Sequence, residues 1–369
     1  MRILHIITSL RTGGAERLVT DLLLRLQGEG DEVALLLFDG TETPLYVELE
    51  QAGIPVYSLS SGCSAMRNPL LVIKLVHFFG RNHYDIIHTH NTSCQLLAAA
   101  ASLFRQMTLV TTEHNTSNRR RQWKWFRPVD RWMYSRYRRV VCVSGETGTM
   151  LQVWLARPDL AGRIVVIPNG IDRRRMSGVV PAEDLAVRTG FKVLMVAAFR
   201  PEKDQSTLIR ALNFLPEDYR LFLAGGAETP ENQALMDKCR QLVSDFGLTE
   251  RVRFLGVRTD VPALLAAADV FVLSSHHEGL SLSVLEGMAS GTPVVACDVE
   301  GLRDIVQDAG LLFPFGDARK LADIIRRVCE EPVFGWTIAR RCEERARCFD
   351  IAETVRRHRE LYVSLKPEI

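Results

Sequence analysis

Thirteen short apolar runs, set off by turn residues, alternate with segments of helical periodicity along this 369-residue chain. In the first half the runs fall at Ile3–Thr8, Glu32–Phe38, Val56–Leu59, Ile86–Thr89, Leu109–Thr112, Arg139–Val143 and Ile164–Ile167. In the second half they fall at Val193–Ala197, Arg220–Ala224, Val252–Leu255, Val270–Leu273, Val294–Ala296 and Leu311–Phe313. A strand that is apolar on both faces needs cover on both. Parallel strands joined by helical crossovers provide that cover. The pattern therefore predicts an α/β chain with two doubly wound, Rossmann-like domains in tandem. Such domains bind ligands beyond the carboxyl ends of their strands.

The boundary is expected within Pro168–Gly190, where Pro168-Asn169-Gly170 is a strong turn signal and a polar, arginine-rich stretch follows. The expected division is residues 1–180 and 181–350. The final helices, at about Trp336–Arg347 and Ile351–Leu365, lack a following strand and are expected to return to the first domain, with the segment at about 351–369 crossing back.

No run approaches the roughly 20 apolar residues of a membrane span. The N-terminal ILHIIT run is too short for a signal-peptide core and reads as a buried strand. The eight cysteines form no CxxC pair, so neither a zinc site nor a disulfide framework is indicated, and the expected compartment is the cytoplasm. Charge is uneven. Residues 1–180 hold 22 Lys/Arg against 15 Asp/Glu, and the remainder holds 24 against 29, which points the first half toward an anionic partner or surface.

The most chemical stretch is Glu278 to Val295, EGLSLSVLEGMASGTPVV. Glu278 follows a strand, Gly279 sits in a short turn, and Glu286 lies inside a helical segment from Ser281 to Ala289. A strand, a turn and a helix start offer backbone N–H groups to a phosphate, with one carboxylate at the mouth and another about one turn deeper. The alternative is an ordinary helix with one glutamate favoured near its start by the macrodipole. Arg200-Pro201-Glu202-Lys203-Asp204 follows the strand Val193–Ala197 and aims two cations at the same crevice, where they could neutralise a diphosphate. The alternative is a solvated turn capping the next helix.

Thr12-Gly13-Gly14-Ala15-Glu16 makes a strand-to-helix turn where a ligand could touch the backbone; it is not the G-x-G-x-x-G pattern. The alternative is a tight turn that requires positive φ. His88, His90 and His114 stand at strand ends, where a histidine can accept a proton or bind a sugar hydroxyl. A metal needs three converging ligands, and only His88 and His90 share a face, so no metal is expected. His88 is expected to be a buried, hydrogen-bonded structural residue.

Asn118–Arg139 carries nine Lys/Arg and one acid, interleaved with aromatic residues. Arg119, Arg120, Arg121, Trp123, Lys124 and Trp125 are candidates for contact with an acceptor or an anionic membrane surface. A solvated basic helix and an RNA-binding surface are the alternatives. No Asp-x-Asp occurs, so a metal–diphosphate bridge is not indicated.

Taken together these residues resemble glycosyltransferase family 4, retaining enzymes of the GT-B fold, in which two Rossmann-like domains face each other across a cleft. The resemblance spans nearly the whole chain. It runs through Gly13–Glu16, Tyr84–His90, Thr112–His114, Val143-Ser144, Ile167–Asp172, Arg200–Asp204, Phe254–Gly256, Asp269–Ser275 and Glu278–Ala296, whose two glutamates match the family's E-x7-E motif. It implies an acceptor-binding first domain and a donor-binding second one. Glu278 is implied near the donor sugar and its phosphates, Arg200 and Lys203 at the diphosphate, and His114 near sugar and acceptor. Glu286 is implied at the ribose hydroxyls. Gly279 and the backbone of Leu280, Ser281 and Leu282 are implied at phosphate oxygens, Gly14 at the diphosphate, and Gly256, Val257 and Arg258 near the nucleobase. The chain departs from the family at Ala198, often arginine, at Ser281, often glycine, and at Glu300, often glycine.

The expected activity is metal-independent, retaining transfer of a sugar from a UDP- or GDP-linked donor to a hydroxyl of a glycan or lipid-linked acceptor, in cell-surface polysaccharide or lipopolysaccharide synthesis. No cofactor is expected beyond the nucleotide-sugar co-substrate. The expected location is cytoplasmic or peripheral on the inner membrane face, and nucleic acid is not an expected partner. The alternatives are a nucleotide-sugar epimerase of the same fold and a non-catalytic nucleotide-sugar or RNA-binding protein.

Overall fold

A computed structural model of the protein describes all residues except Thr12, 61–69, Ser117, Asn118, 186–189 and 367–369. Two of the excluded residues, Thr12 and Asn118, belong to the glycine turn and the basic segment, so these two positions lie outside the described residues.

The apolar runs form two wholly parallel sheets. The first contains β1 (Arg2–Ile7), β2 (Glu32–Leu37), β3 (Val56–Ser58), β4 (Ile86–His90), β5 (Leu109–Glu113), β6 (Arg139–Cys142) and β7 (Ile164–Val166). Its spatial order is β3-β2-β1-β4-β5-β6-β7. The second contains β8 (Lys192–Val196), β9 (Arg220–Ala224), β10 (Val252–Gly256), β11 (Val270–Leu273), β12 (Val294–Cys297) and β13 (Leu311–Phe313), in the order β10-β9-β8-β11-β12-β13. In each sheet the chain winds outward one way, returns to the centre and winds out the other. The order therefore reverses beside β1 in the first sheet and beside β8 in the second. At such a point two adjacent strands send their loops to opposite faces and leave a crevice between them.

Strand alternation sorts the residues of the first sheet. Leu4, Ile6, Leu36, Ile87 and Leu109 point into a buried cluster with Leu75, Ala98, Met133 and Tyr134, supplied by helices on that face. Burying each such aliphatic side chain contributes about 1.5–3 kcal/mol. The opposite face of the centre carries His5 and His88, paired side by side in the β1–β4 register, and then His90, paired with Thr112 in the β4–β5 register.

Contacts group Met1–Gly170 with Ile351–Ile369 as one compact unit and Ile171–Asp350 as another. Residues 171–180 go with the second unit because Ile171 bridges to Asp350 and the short turn Arg173–Met176 packs against the helices Val261–Ala267 and Leu282–Ala289. The two final helices part company. The helix Pro332–Ala346 buries Ile338 and Cys342 and packs on the helix Leu282–Ala289 of the second unit. Only Ile351–Leu365 joins the first unit. It packs on the helix Gly14–Gly28, with Thr354 Oγ1 donating to Pro168 O at 2.9 Å and Arg359 Nε to Asp31 at 2.9 Å.

Candidate active site

In the second unit the site is built at the carboxyl ends of β8 and β11, the adjacent strands at the reversal of order. The turn Pro201–Lys203 follows β8 and ends at Asp204, held in the left-handed region at φ 46°. Asp204 caps the next helix, accepting from Thr207 N at 3.3 Å and Thr207 Oγ1 at 2.5 Å. Burial pushes the Asp204 carboxyl up, but donors from Ser206, Thr207 and His276 outweigh it and leave it below the usual carboxylate range. The polar end of β11 clamps the same turn. Ser274 Oγ donates to Asp204 O at 2.8 Å, His276 N donates to Glu202 O at 2.7 Å, and His276 Nε2 lies 2.8 Å from Asp204 Oδ2.

That clamp sets Lys203 against Glu278. Lys203 Nζ donates to Glu278 Oε1 at 2.5 Å, with side-chain exposures of only 19% and 11%. An ion pair this sheltered interacts more strongly than one in open solvent. Arg200, three residues earlier, is exposed at the head of the turn. Gly279 is buried and Leu280 half-buried. Ser281 is the N-cap of the helix Leu282–Ala289, yet its hydroxyl makes no cap bond and lies 3.2 Å from Ser283 Oγ instead. The helix therefore begins without a side-chain acceptor on its first N–H groups. Glu286 is half-buried in the middle of that helix. The helix can lie close on β11 because position 287 is glycine: a Cβ there would stand 3.1 Å from the Phe271 ring.

Gly256 ends β10 at φ +67°, beyond a register shift between Phe254 and Gly256. Val257 is exposed, and Arg258 is engaged by Asp260 through Nε–Oδ1 at 2.7 Å and Nη2–Oδ2 at 2.5 Å. Asp260 thus orients the guanidinium of Arg258, which the family resemblance implies near the nucleobase.

In the first unit Gly14 opens the helix Gly14–Gly28, and Gly13 caps it in an extended conformation, φ −170°. Positive φ is therefore not what position 13 requires. A Cβ on Gly13 would stand 2.3 Å from Glu16 Oε2, so the glycine makes room for that carboxylate.

The strand-end histidines form a connected chain. His88 is fully buried, with Nε2 2.7 Å from Thr112 Oγ1 and Nδ1 2.5 Å from the Tyr362 hydroxyl. That hydroxyl lies 3.5 Å from His5 Nε2. His5 Nδ1 is 3.0 Å from His90 Nε2, and His90 Nδ1 is 3.1 Å from His114 Nε2. Burial opposes a charged ring: it lowers His5 to about 3 and His114 to about 4, and pushes His88 and His90 well below the usual histidine range. His358 stacks on His88 and is likewise lowered by burial to about 4. At the end of β4, Asn91 adopts φ 68°, a conformation uncommon outside glycine, and donates to Thr8 Oγ1 at 3.1 Å.

His5, Tyr362 and His358 were not among the sequence candidates. A histidine inside the apolar run Ile3–Thr8 was the available signal for His5; Glu360-Leu361-Tyr362 resembles the family's final helix but gave Tyr362 no role in the site, and nothing local pointed to His358. The sequence also counted only two histidines on one face, whereas ring nitrogens of His5, His88 and His90 come within 4.8 Å of one another. The Nδ1 of His5 and the Nε2 of His90 are already bonded to each other, and no carboxylate belongs to this group among the described residues. Three neutral rings alone would leave a divalent ion's charge uncompensated in a buried place.

The basic segment divides. Arg120 and Arg121, expected at a surface, have largely covered side chains, 8% and 7% exposed. Arg120 Nε lies 2.9 Å from Asp130 Oδ1, and Arg121 Nη2 donates to Glu113 Oε2 at 2.6 Å. Burial raises Glu113, but Arg121 and Arg120, with Tyr134 and Gln95, hold it below the ordinary range. Two guanidiniums find two buried carboxylates here, which makes them internal struts rather than surface contacts. Trp123, Lys124 and Trp125 are exposed, and the two indoles stack at 5.9 Å. The side chain of Arg119 lies outside the described residues.

The chain matches the model of glycosyltransferase family 4 over residues 12–175 and that of the group 1 glycosyl transferases over residues 190–331. It is 31% identical over 300 residues to EpsD of Bacillus subtilis (strain 168), named as a glycosyltransferase, covering 76% of each chain. It is 23% identical to the UDP-Gal:alpha-D-GlcNAc-diphosphoundecaprenol alpha-1,3-galactosyltransferase of Escherichia coli, covering 99% of this chain and 97% of that one. Among solved structures, Anabaena Alr3699/HepE in complex with UDP-glucose superposes with a TM-score of 0.86 at 27% identity, over 99% of this chain and 100% of that one. With two parallel sheets of seven and six strands in the GT-B pattern and these matches along nearly its whole length, the chain belongs to glycosyltransferase family 4 and is a glycosyltransferase.

Proposed function

We propose that the enzyme moves a sugar, with retention of anomeric configuration, from a nucleoside diphosphate sugar to a hydroxyl of a lipid-linked or glycan acceptor in cell-surface polysaccharide assembly. The Lys203–Glu278 pair beside the helix start at Ser281 carries this reading. Arg200 and Lys203 offset the charge of the diphosphate as it departs. The first N–H groups of Leu282–Ala289 receive its oxygens, and Glu286 takes the ribose hydroxyls. With cations and N–H groups gathered on the leaving group, the acceptor hydroxyl attacks from the same face and its proton passes to a departing phosphate oxygen. No metal is assigned to the step, since Arg200 and Lys203 supply the positive charge that the leaving group needs.

The diphosphate-sugar donor is supported by the UDP-glucose complex of HepE and by the name of the E. coli relative, which also carries a diphosphoundecaprenol acceptor. The exposed Trp123–Trp125 stack, with exposed Lys124 between the two in sequence, suits a peripheral approach to an anionic membrane carrying that kind of acceptor. Among the described residues no helix is long and apolar enough to cross a membrane.

The test is a screen of UDP- and GDP-sugars for binding and for transfer, with Lys203→Ala and Glu286→Ala as controls. Binding and turnover of one donor, lost in both variants, is the expected result. Failure of every donor to bind, or full activity in both variants, removes the proposal.

A further inference from the structure

The histidine chain of the first unit has a property that its separate members lack. A neutral imidazole carries one N–H and one lone pair, so a ring bonded at both nitrogens must donate at one and accept at the other. His88, His5 and His90 are each bonded at both. Once the sense of one bond is fixed, every bond in the chain follows, down to the last ring, His114.

Tyr362 fixes the sense. Its hydroxyl has one hydrogen and two histidine neighbours, His88 Nδ1 at 2.5 Å and His5 Nε2 at 3.5 Å. The phenol donates across the short contact, because a bond at the longer distance is weak. His88 then donates from Nε2 to Thr112 Oγ1. His5 donates from Nε2 to the Tyr362 oxygen and accepts at Nδ1. His90 donates from Nε2 to His5, and His114 donates from Nε2 to His90. The one nitrogen left over is His114 Nδ1, which is shut from solvent and has no hydrogen-bond partner. A buried lone pair without a donor is costly in a resting protein.

We infer that Tyr362, His5 and His90 are positioning residues that hold His114 as the Nε2–H tautomer, so that Nδ1, covered here, is a bare acceptor for a hydroxyl of the transferred sugar or the acceptor once the ring is uncovered. This rests on the proposed transfer for the identity of the hydroxyl, while the tautomer itself depends only on the chain of contacts. The opposite sense would present an N–H at the same place, which suits a carbonyl or phosphate oxygen instead. A metal held by His5, His88 and His90 would break the chain at its centre.

The experiment is nitrogen NMR of the full-length protein labelled at its histidine rings, at pH 7.5, with metal analysis of the same sample. Four Nε2–H rings at His5, His88, His90 and His114, without stoichiometric metal, is the expected result. Nδ1–H at His114, comparable amounts of both tautomers there, or one equivalent of bound metal overturns the inference. Tyr362→Phe removes the hydrogen that sets the sense. In that variant His114 is expected as a tautomer mixture, with kcat for transfer lowered about fivefold and the donor KM unchanged. A wild-type tautomer at His114 in Tyr362→Phe, or an unchanged kcat beside a mixed tautomer, also overturns it. If the variant does not fold, the wild-type spectrum decides alone. Four Nε2–H rings in a protein that transfers no sugar would support the chain and count only against the transfer reading.

Discussion

Lys203 Nζ and Glu278 Oε1 meet at 2.5 Å, although 75 positions separate them in sequence. The first stands after β8 and the second after β11, and these strands are neighbours at the reversal of strand order. Ser274 and His276 fasten the two loops together through the backbone of Glu202 and Asp204, so the pair rests on a built frame rather than on two mobile side chains. In the proposed reaction this sheltered cation, held by its carboxylate, is the one a donor phosphate shares.

Lys203→Met and Glu278→Gln should each lower kcat for transfer about 100-fold, the scale found when one preorganised charge-stabilising group is removed. Because the two act as one unit, the double variant should be no worse than about threefold below the poorer single. Steady-state kinetics of all four proteins provide the check; losses that multiply in full would show two independent roles.

Arg121→Met should unfold the first unit far more readily than its place in a basic run suggests. It would strand the buried Glu113 carboxylate, which Arg121 Nη2 meets at 2.6 Å. Removing one partner of a buried pair costs about 3–5 kcal/mol. Denaturant melts of this variant beside Lys124→Met, an exposed neighbour expected to change stability by less than about 0.5 kcal/mol, measure the contrast.

The stacked indoles of Trp123 and Trp125 offer a separate readout. Replacing both with serine should reduce binding to vesicles containing anionic lipid and leave the melting temperature in place, since both rings are exposed. Equal vesicle binding by the variant and the parent would take the membrane role away from this segment.

Acid should destabilise the first unit through its histidines. His5 and His358 are lowered by burial to about 3 and about 4, below the ordinary 6.5 of an unfolded chain. Above pH 6.5 both states are neutral and the rings cost nothing. As pH falls below 6.5 the unfolded chain takes up protons that the folded one refuses, so stability declines until each folded value is reached. Each such ring contributes a slope of about 1.4 kcal/mol per pH unit. Replacing His358 with glutamine should make the decline between pH 6 and pH 5 shallower in denaturant titrations; an unaltered slope would place the acid sensitivity elsewhere.

Much of this architecture was legible in the sequence. All thirteen apolar runs became strands, and the turn at Glu278–Leu282 stands between a strand and a helix as its spacing predicted. Both follow from local periodicity and turn chemistry, which a one-dimensional reading captures. The basic segment was misread in part, because composition reports charge and not its partners. Arg120 and Arg121 look like Lys124 until Asp130 and Glu113 are folded against them.

The sequence by itself determined the class of fold, the two-sheet layout and the loops that hold the candidate residues, since each depends on neighbours within about ten positions along the chain. Only the tertiary structure decided which residues meet. Tyr362 reaches His5 across 357 positions and His88 across 274, because the last helix returns to the first unit and lies over the histidine face of its sheet. Register then places His5 beside His88 and His90 beside Thr112. Hydrogen bonds of 2.5–3.5 Å arise from strand order and helix return, and neither leaves a periodic mark in the chain.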